Sequence, residues 1–181
     1  MYIWIGAKLP TDFESWLRSI CIPVGQKLQL DMIGFSLPQH ISLKISFPTD
    51  QPQAVLEFLK ERLKKERVFY VNPRSPEREG NILWMPFRKN VPLRHLHQML
   101  DRELKEKFGI EQHPFDLDFR FHSTLFFGEE SALTRVAEAF RQLGLPGILR
   151  IDTLLLGVSD TGKSGSYRVV AEIPLKEKTS P

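Results

Sequence analysis

Residues 39–47, QHISLKISF, alternate polar and apolar side chains without interruption. Successive side chains of a β-strand point to opposite faces, so the alternation predicts a strand with one apolar face and one polar face. The polar face carries His40, Ser42 and Lys44. A histidine and a serine therefore lie next to each other on the open side of the strand, a placement that packing alone does not require.

The same arrangement returns at residues 118–128, DFRFHSTLFFG. Period-two counting places Arg120, His122 and Thr124 on one face of a predicted strand. Ser123 then points towards the core and is the weaker candidate for chemistry. Each of the two strands thus offers one imidazole, one hydroxyl and one cation on its open face.

The rest of the chain alternates between strand and helix patterns joined by short connections. β-branched and aromatic runs predict further strands at residues 2–8, 68–72, 81–87, 148–158 and 166–175. Apolar positions at helical spacing predict four helices within residues 11–21, 47–67, 91–109 and 129–144. Thr11 and Glu14 form a capping-box pattern at the first helix, and Pro92 and Gly109 bracket the third.

This interleaving of strands and helices predicts an α+β or α/β class. The 181 residues suffice for one domain or two small lobes folded together, and the chain has no long linker. Clean alternation in the two motif strands is typical of antiparallel sheets that are covered on one face and open on the other. Two such open faces can form the walls of a cleft.

The composition of the chain limits the kinds of ligand and partner that the protein can bind. Hydrophobic residues make up 41% of the chain and charged residues 26%, as in ordinary soluble globular proteins. The net charge of +3 permits an anionic substrate without demanding one. Cys21 is the only cysteine, which excludes a disulfide framework and a thiolate metal site. Because no segment is apolar enough to cross a bilayer and the N-terminal residues lack a basic leader, we expect a cytoplasmic protein with no membrane partner. We also expect a monomer.

Together the two open faces supply the groups needed to cleave a phosphodiester without a metal. Imidazole titrates near neutrality, so one ring can act as base while the other acts as acid. Neighbouring hydroxyls can donate hydrogen bonds to phosphate oxygens, and lysine or arginine favours an anionic substrate. The candidate residues are His40 and His122 for catalysis, and Ser42, Thr124, Lys44, Arg120 and Trp4 for substrate binding.

The tetrapeptides HISL (40–43) and HSTL (122–125) resemble the paired His-hydrophobic-Ser/Thr-hydrophobic signatures of the two-histidine (2H) phosphoesterase superfamily. Their spacing and the chain length fit its bacterial cyclic phosphodiesterase or RNA ligase-like branch, although Ser123 stands where an apolar residue is usual. The resemblance implies one bilobal α+β domain over residues 1–181, with two antiparallel sheets facing a central cleft and helices outside. It also implies hydrolysis, without metal or other cofactor, of 2′,3′-cyclic phosphates or 2′-5′ linkages in an RNA end or small nucleotide.

Two assignments remain open at the level of sequence. We expect His122 to activate water and His40 to protonate the leaving ribose oxygen, but the residues alone do not decide this order. The alternative function is a module that binds RNA or a nucleotide in the same cleft without turnover. A metal hydrolase is a third class, disfavoured because the required cluster of histidines and carboxylates is missing from the motifs.

The remaining aromatic and histidine residues have simpler interpretations. His95 and His97 lie two positions apart on a predicted helix, where they face different sides and cannot chelate together, so we expect both on the surface. Trp4 shares a strand face with Tyr2 and can line the cleft or stack on a nucleobase. Trp84 lies in an apolar run and is expected in the core.

Overall fold

The computed structural model of the chain describes residues 1–88 and 90–177. Its strands are β1 (Tyr2–Lys8), β2 (His40–Pro48), β3 (Phe69–Val71), β4 (Glu77–Glu79), β5 (Ile82–Pro86), β6 (His122–Phe127), β7 (Leu149–Ile151), β8 (Thr153–Ser159) and β9 (Arg168–Pro174). Its α-helices are α1 (Thr11–Leu28), α2 (Pro52–Leu63), α3 (Val91–Phe108) and α4 (Glu130–Arg141). Short 3₁₀ turns occupy Ile33–Phe35 and Pro114–Asp116.

The strands form antiparallel sheets, which confirms the predicted α+β class. One sheet has the order β2-β1-β8-β9, a second has the order β4-β5-β6, and β3 pairs with β7. The two motif strands, β2 and β6, are each the outermost strand of a sheet, and they contact one another. The fold therefore brings the two histidine motifs side by side from separate sheets.

The helices cover the apolar faces of the sheets. α3 follows the prediction closely, because the Asn90 side chain accepts a hydrogen bond from the Leu93 amide at its start and Gly109 ends it with a φ of 65°. The capping box predicted at α1 is wrong: Pro10 occupies the N-cap position without a side-chain cap, and Thr11 is already helical. None of the described helices is long and apolar enough to span a membrane.

The strand alternation predicted for residues 39–47 holds only for its first half. The register between β1 and β2 shifts on both sides of the pair formed by Ile5 and Lys44. Such irregularities insert extra residues into one strand and reverse the faces beyond them. Lys44 is consequently buried, with 1% of its surface exposed, while Ile45 and Ser46 are both partly exposed.

Candidate functional site

His40 is held from two directions at the beginning of β2. Its Nδ1 donates a hydrogen bond to the backbone carbonyl of Pro38 at 2.7 Å. Its ring packs edge-on against the indole of Trp4 on the neighbouring strand, with ring centroids 4.2 Å apart and an interplanar angle of 70°. Because a carbonyl can only accept, the ring carries its proton on Nδ1 when neutral, and Nε2 is left to exchange protons with a ligand.

His122 is held in the same way at the beginning of β6. Its Nδ1 donates to the carbonyl of Arg120 at 2.6 Å. Its ring packs against Trp84 on β5, with a centroid distance of 4.2 Å and an angle of 39°. The sequence prediction that Trp84 lies in the core is wrong, because this indole is partly exposed and lines the same cavity as His122.

Trp4 occupies the predicted face of β1 but has a supporting role. Only 7% of its surface is exposed, so little of the indole is open to a ligand. The ring fits between two glycines: a Cβ at Gly6 would lie 2.7 Å from Trp4 Cζ2, and a Cβ at Gly157 would lie 2.5 Å from Cε3. These missing side chains give Trp4 the room to reach His40, which makes the tryptophan a wall for the imidazole.

The two rings differ in how readily they hold a second proton. Burial lowers the pKa of His40 to about 4, the Pro38 carbonyl opposes this shift, and the positive charge of His122 adds to it. Burial also lowers the pKa of His122, but there both the Arg120 carbonyl and the negative charge of Glu79 oppose the shift. The charge of His122 therefore disfavours protonation of His40, whereas the charge of Glu79 favours the protonated form of His122.

Two hydroxyls lie beside the rings. Ser42 pairs with Gly6 across the first sheet, and Thr124 pairs with Trp84 across the second. Both residues are partly exposed, and within residues 1–88 and 90–177 every buried side-chain nitrogen or oxygen already has a hydrogen-bond partner. The two hydroxyls are therefore not buried in the core, and an oxygen atom of a ligand can reach them.

The cavity at His122 has a volume of about 490 Å³. Its lining is mainly apolar and includes Phe115, 73% of whose surface is exposed. Arg120 also lines it, with its guanidinium 2.9 Å from a Glu79 carboxylate oxygen. The complete lining is Ile45, Glu79, Ile82, Trp84, Pro114, Phe115, Asp118, Phe119, Arg120 and His122.

The structure does not place Lys44 in the cleft. Its ammonium is buried between two carboxylates, 2.5 Å from Asp101 on α3 and 2.9 Å from Asp116. The register shifts in β2 turn this side chain away from the face that carries His40. Asp116 also accepts a hydrogen bond from the Ile45 amide at 3.2 Å. This cluster fastens the segment after α3, which lines the cavity, to the first motif strand.

His97 belongs to the same cluster, so its predicted surface position is wrong. It is buried, and its Nδ1 and Nε2 lie 2.8 Å and 3.0 Å from the backbone carbonyls of Leu43 and Asp116. Among the described residues, His97, Asp101 and Asp116 come close enough to share a metal ion. The ammonium of Lys44 already occupies both carboxylates, and both ring nitrogens face carbonyl oxygens. This donor set fits an ion-pair network and not a divalent cation.

Comparison with protein-family models shows which family the chain belongs to. The family model described as the 2′-5′ RNA ligase superfamily matches residues 35–163, a span that contains both histidine motifs. The chain belongs to the 2′-5′ RNA ligase superfamily. The resemblance to the 2H phosphoesterases inferred from the two tetrapeptides is therefore confirmed. No curated protein sequence matches the chain at a significant level.

Several solved structures resemble the whole chain. TT0787 of Thermus thermophilus aligns with a TM-score of 0.67 and 15% identity, covering 99% of this chain and 100% of its own. E. coli LigT complexed with 3′-AMP aligns with a TM-score of 0.62 and 16% identity, covering 96% and 97%. Usb1 of Kluyveromyces marxianus has a TM-score of 0.51 and 12% identity, covering 96% and 98%. At these identities the likeness shows a shared fold.

Proposed function

We propose that the protein is a metal-independent phosphodiesterase that hydrolyses 2′,3′-cyclic phosphate or 2′-5′-linked RNA or nucleotide substrates. The observation that carries this proposal is the matched anchoring of His40 and His122. Each ring donates from Nδ1 to a carbonyl two residues upstream, so each keeps Nε2 for chemistry. Since the paired groups come from both halves of the chain, we treat residues 1–181 as one bilobal domain.

The family and the relatives support a nucleotide as the ligand. Crystal structures of E. coli LigT, which shares the fold, were obtained as complexes with 3′-AMP and with NADP+. A cavity of about 490 Å³ with aromatic walls at His122 suits a nucleoside. The Arg120 guanidinium at its rim favours the negative charge of a phosphate, and Ser42 and Thr124 can donate to the non-bridging oxygens.

The two pKa shifts favour an order of proton transfer opposite to the one expected from the sequence. His40, with a pKa of about 4, is neutral at neutral pH and can accept a proton at Nε2. Burial lowers the pKa of His122 as well, but the Arg120 carbonyl and the charge of Glu79 both oppose that shift, so this scheme assigns the proton to His122. In this scheme His40 takes a proton from water as its oxygen attacks phosphorus. His122 then gives its proton to the ribose oxygen as the phosphorus–oxygen bond breaks, leaving a phosphomonoester and a free hydroxyl.

The dependence of kcat/KM on pH tests this scheme. Activity requires neutral His40 and protonated His122, so kcat/KM is expected to rise as the pH increases through about 4. It is expected to decrease again as His122 loses its proton, and the midpoint of this decrease lies at a lower pH than the ordinary histidine pKa of about 6.5. A bound phosphate anion raises both pKa values, so the bell for kcat is expected at higher pH. A kcat/KM that increases steadily up to pH 9 would contradict an imidazolium acid.

Chelation tests the absence of a catalytic metal. The described metal-capable cluster is occupied by Lys44, so protein treated with EDTA and dialysed is expected to hydrolyse substrate at an unchanged rate. Turnover is measured by phosphorus NMR on a small panel of 2′,3′-cyclic and 2′-5′-linked nucleotides. Loss of turnover on chelation, restored by a divalent ion, would overturn the metal-independent mechanism. Binding of these compounds with no turnover of any of them would favour the alternative, a binding module.

A further inference from the structure

A buried hydrogen bond connects the two histidine motifs directly. The Ser123 hydroxyl donates to the side-chain carbonyl of Gln39 at 2.8 Å. Gln39 immediately precedes His40, and Ser123 immediately follows His122. The two side chains are 1% and 2% exposed, so this bond is inaccessible to water and joins β6 to the residue that precedes β2.

Gln39 is itself fixed by further contacts. Its side-chain amide donates to the carbonyl of Gly34 at 2.6 Å, and its backbone carbonyl accepts from the Leu9 amide at 2.9 Å. Gly34 lies directly on β6, because a Cβ at this position would be 2.5 Å from the backbone oxygen of Thr124. The amide group of Gln39 is thus held in one orientation between the two motif strands.

The polar pair has a property that an apolar pair lacks. Apolar contacts are non-directional and tolerate sliding, whereas a hydrogen bond needs a narrow range of distance and angle. Leaving a buried polar partner unsatisfied is costly, so the strands are held at the separation that keeps the bond. This gives a physical reason for Ser123, which departs from the apolar residue usual at that place in the motif.

We propose that Gln39 and Ser123 are positioning residues that set the separation between the Nε2 atoms of His40 and His122. The inference rests on the proposed function, since it concerns the spacing of the acid and the base. A base and an acid on opposite sides of one phosphorus atom must both be within hydrogen-bond reach of the oxygens that they serve. A displacement of about 1 Å can cost roughly 10²-fold in rate.

Kinetics of two variants separate positioning from stability. Ser123→Ala is expected to lower kcat by about 10- to 100-fold with KM changed less than about threefold. In the double variant Q39M/S123A both polar partners of the bond are removed, but the Gly34 carbonyl also loses its donor, so we expect stability to recover in part while kcat stays low. The matched control is Ser159→Ala, which removes another buried hydroxyl. Ser159 lies on β8, which carries no histidine motif, and its hydroxyl is hydrogen-bonded to that of Ser166 at 2.6 Å. This variant is expected to leave kcat unchanged.

A second readout needs no turnover. NMR titration of the rings measures how much His122→Asn raises the pKa of His40, which reports the electrostatic coupling between the two side chains. We expect this rise to be smaller in the Q39M/S123A background than in the parent. The proposal is overturned if the coupling is the same in both backgrounds, or if kcat recovers with stability in the double variant. A parent without turnover refutes the proposed function, while the coupling still decides the spacing.

Discussion

Replacing His40 or His122 with asparagine is expected to lower kcat by ~10²–10⁴, the usual range for the loss of a general acid or base. Asparagine is the sharpest substitution here, because its side-chain amide can still donate to the carbonyl of Pro38 or Arg120 that anchors each ring. It therefore removes Nε2 while keeping the anchor. His95→Asn, at an exposed histidine on α3, is the matched control and is expected to leave kcat unchanged.

The residual activity of the two variants distinguishes their roles. His40→Asn is expected to lose the acidic limb of the pH profile, and His122→Asn is expected to lose the alkaline limb. The measurement is kcat/KM from about two pH units below the His40 pKa of about 4 up to pH 9, in buffers of constant ionic strength. If both variants keep the complete bell of the parent, neither ring is the acid or the base, and the mechanism is wrong.

Replacing Lys44 with methionine is expected to lower the free energy of unfolding by about 3–5 kcal/mol. The ammonium neutralises Asp101 and the fully buried Asp116, and methionine leaves two carboxylates without a counter-charge in the protein interior. Urea denaturation followed by circular dichroism measures the difference. The control is Lys8→Met, which breaks the exposed pair with Glu172 and is expected to cost less than about 1 kcal/mol.

Kinetics with the same variant separate a structural lysine from a substrate contact. A Lys44→Met protein that is as stable as Lys8→Met but has a strongly raised KM would show that Lys44 binds substrate after all. The expected result is the reverse, a large loss of stability, because the ammonium is buried between Asp101 and Asp116.

Much of the site could be predicted from local pattern. The positions of His40 and His122 follow from period-two alternation and the repeated tetrapeptide, and the accessible hydroxyls follow from the same count. The buried position of His97 could also have been predicted from the sequence. His97 lies four residues after Leu93 and one after Leu96, on the side of α3 that faces the core. The polar character of histidine conceals this position.

Other features depend on contacts between distant parts of the chain. The polar–apolar alternation continues past Leu43 in the sequence, so nothing local reveals that the register of β2 shifts and buries Lys44. Its partners come from α3 and the turn at Asp116, far along the chain. The sequence prediction for Trp84 fails for a similar reason, since its apolar neighbours conceal the imidazole that packs against it from the adjacent strand.

The position of the motif strands at the sheet edges also bears on how the protein can aggregate. β2 and β6 each end a sheet, and beyond the bridge of Asp31 to Phe127 the outer side of β6 has no strand partner among the described residues. In the folded state β2 and β6 contact each other, and the irregular register of β2 makes its edge a poor template for another strand. A molecule whose sheets have separated exposes two edges with alternating apolar sequence. Self-association is therefore expected to begin with opening of the cleft.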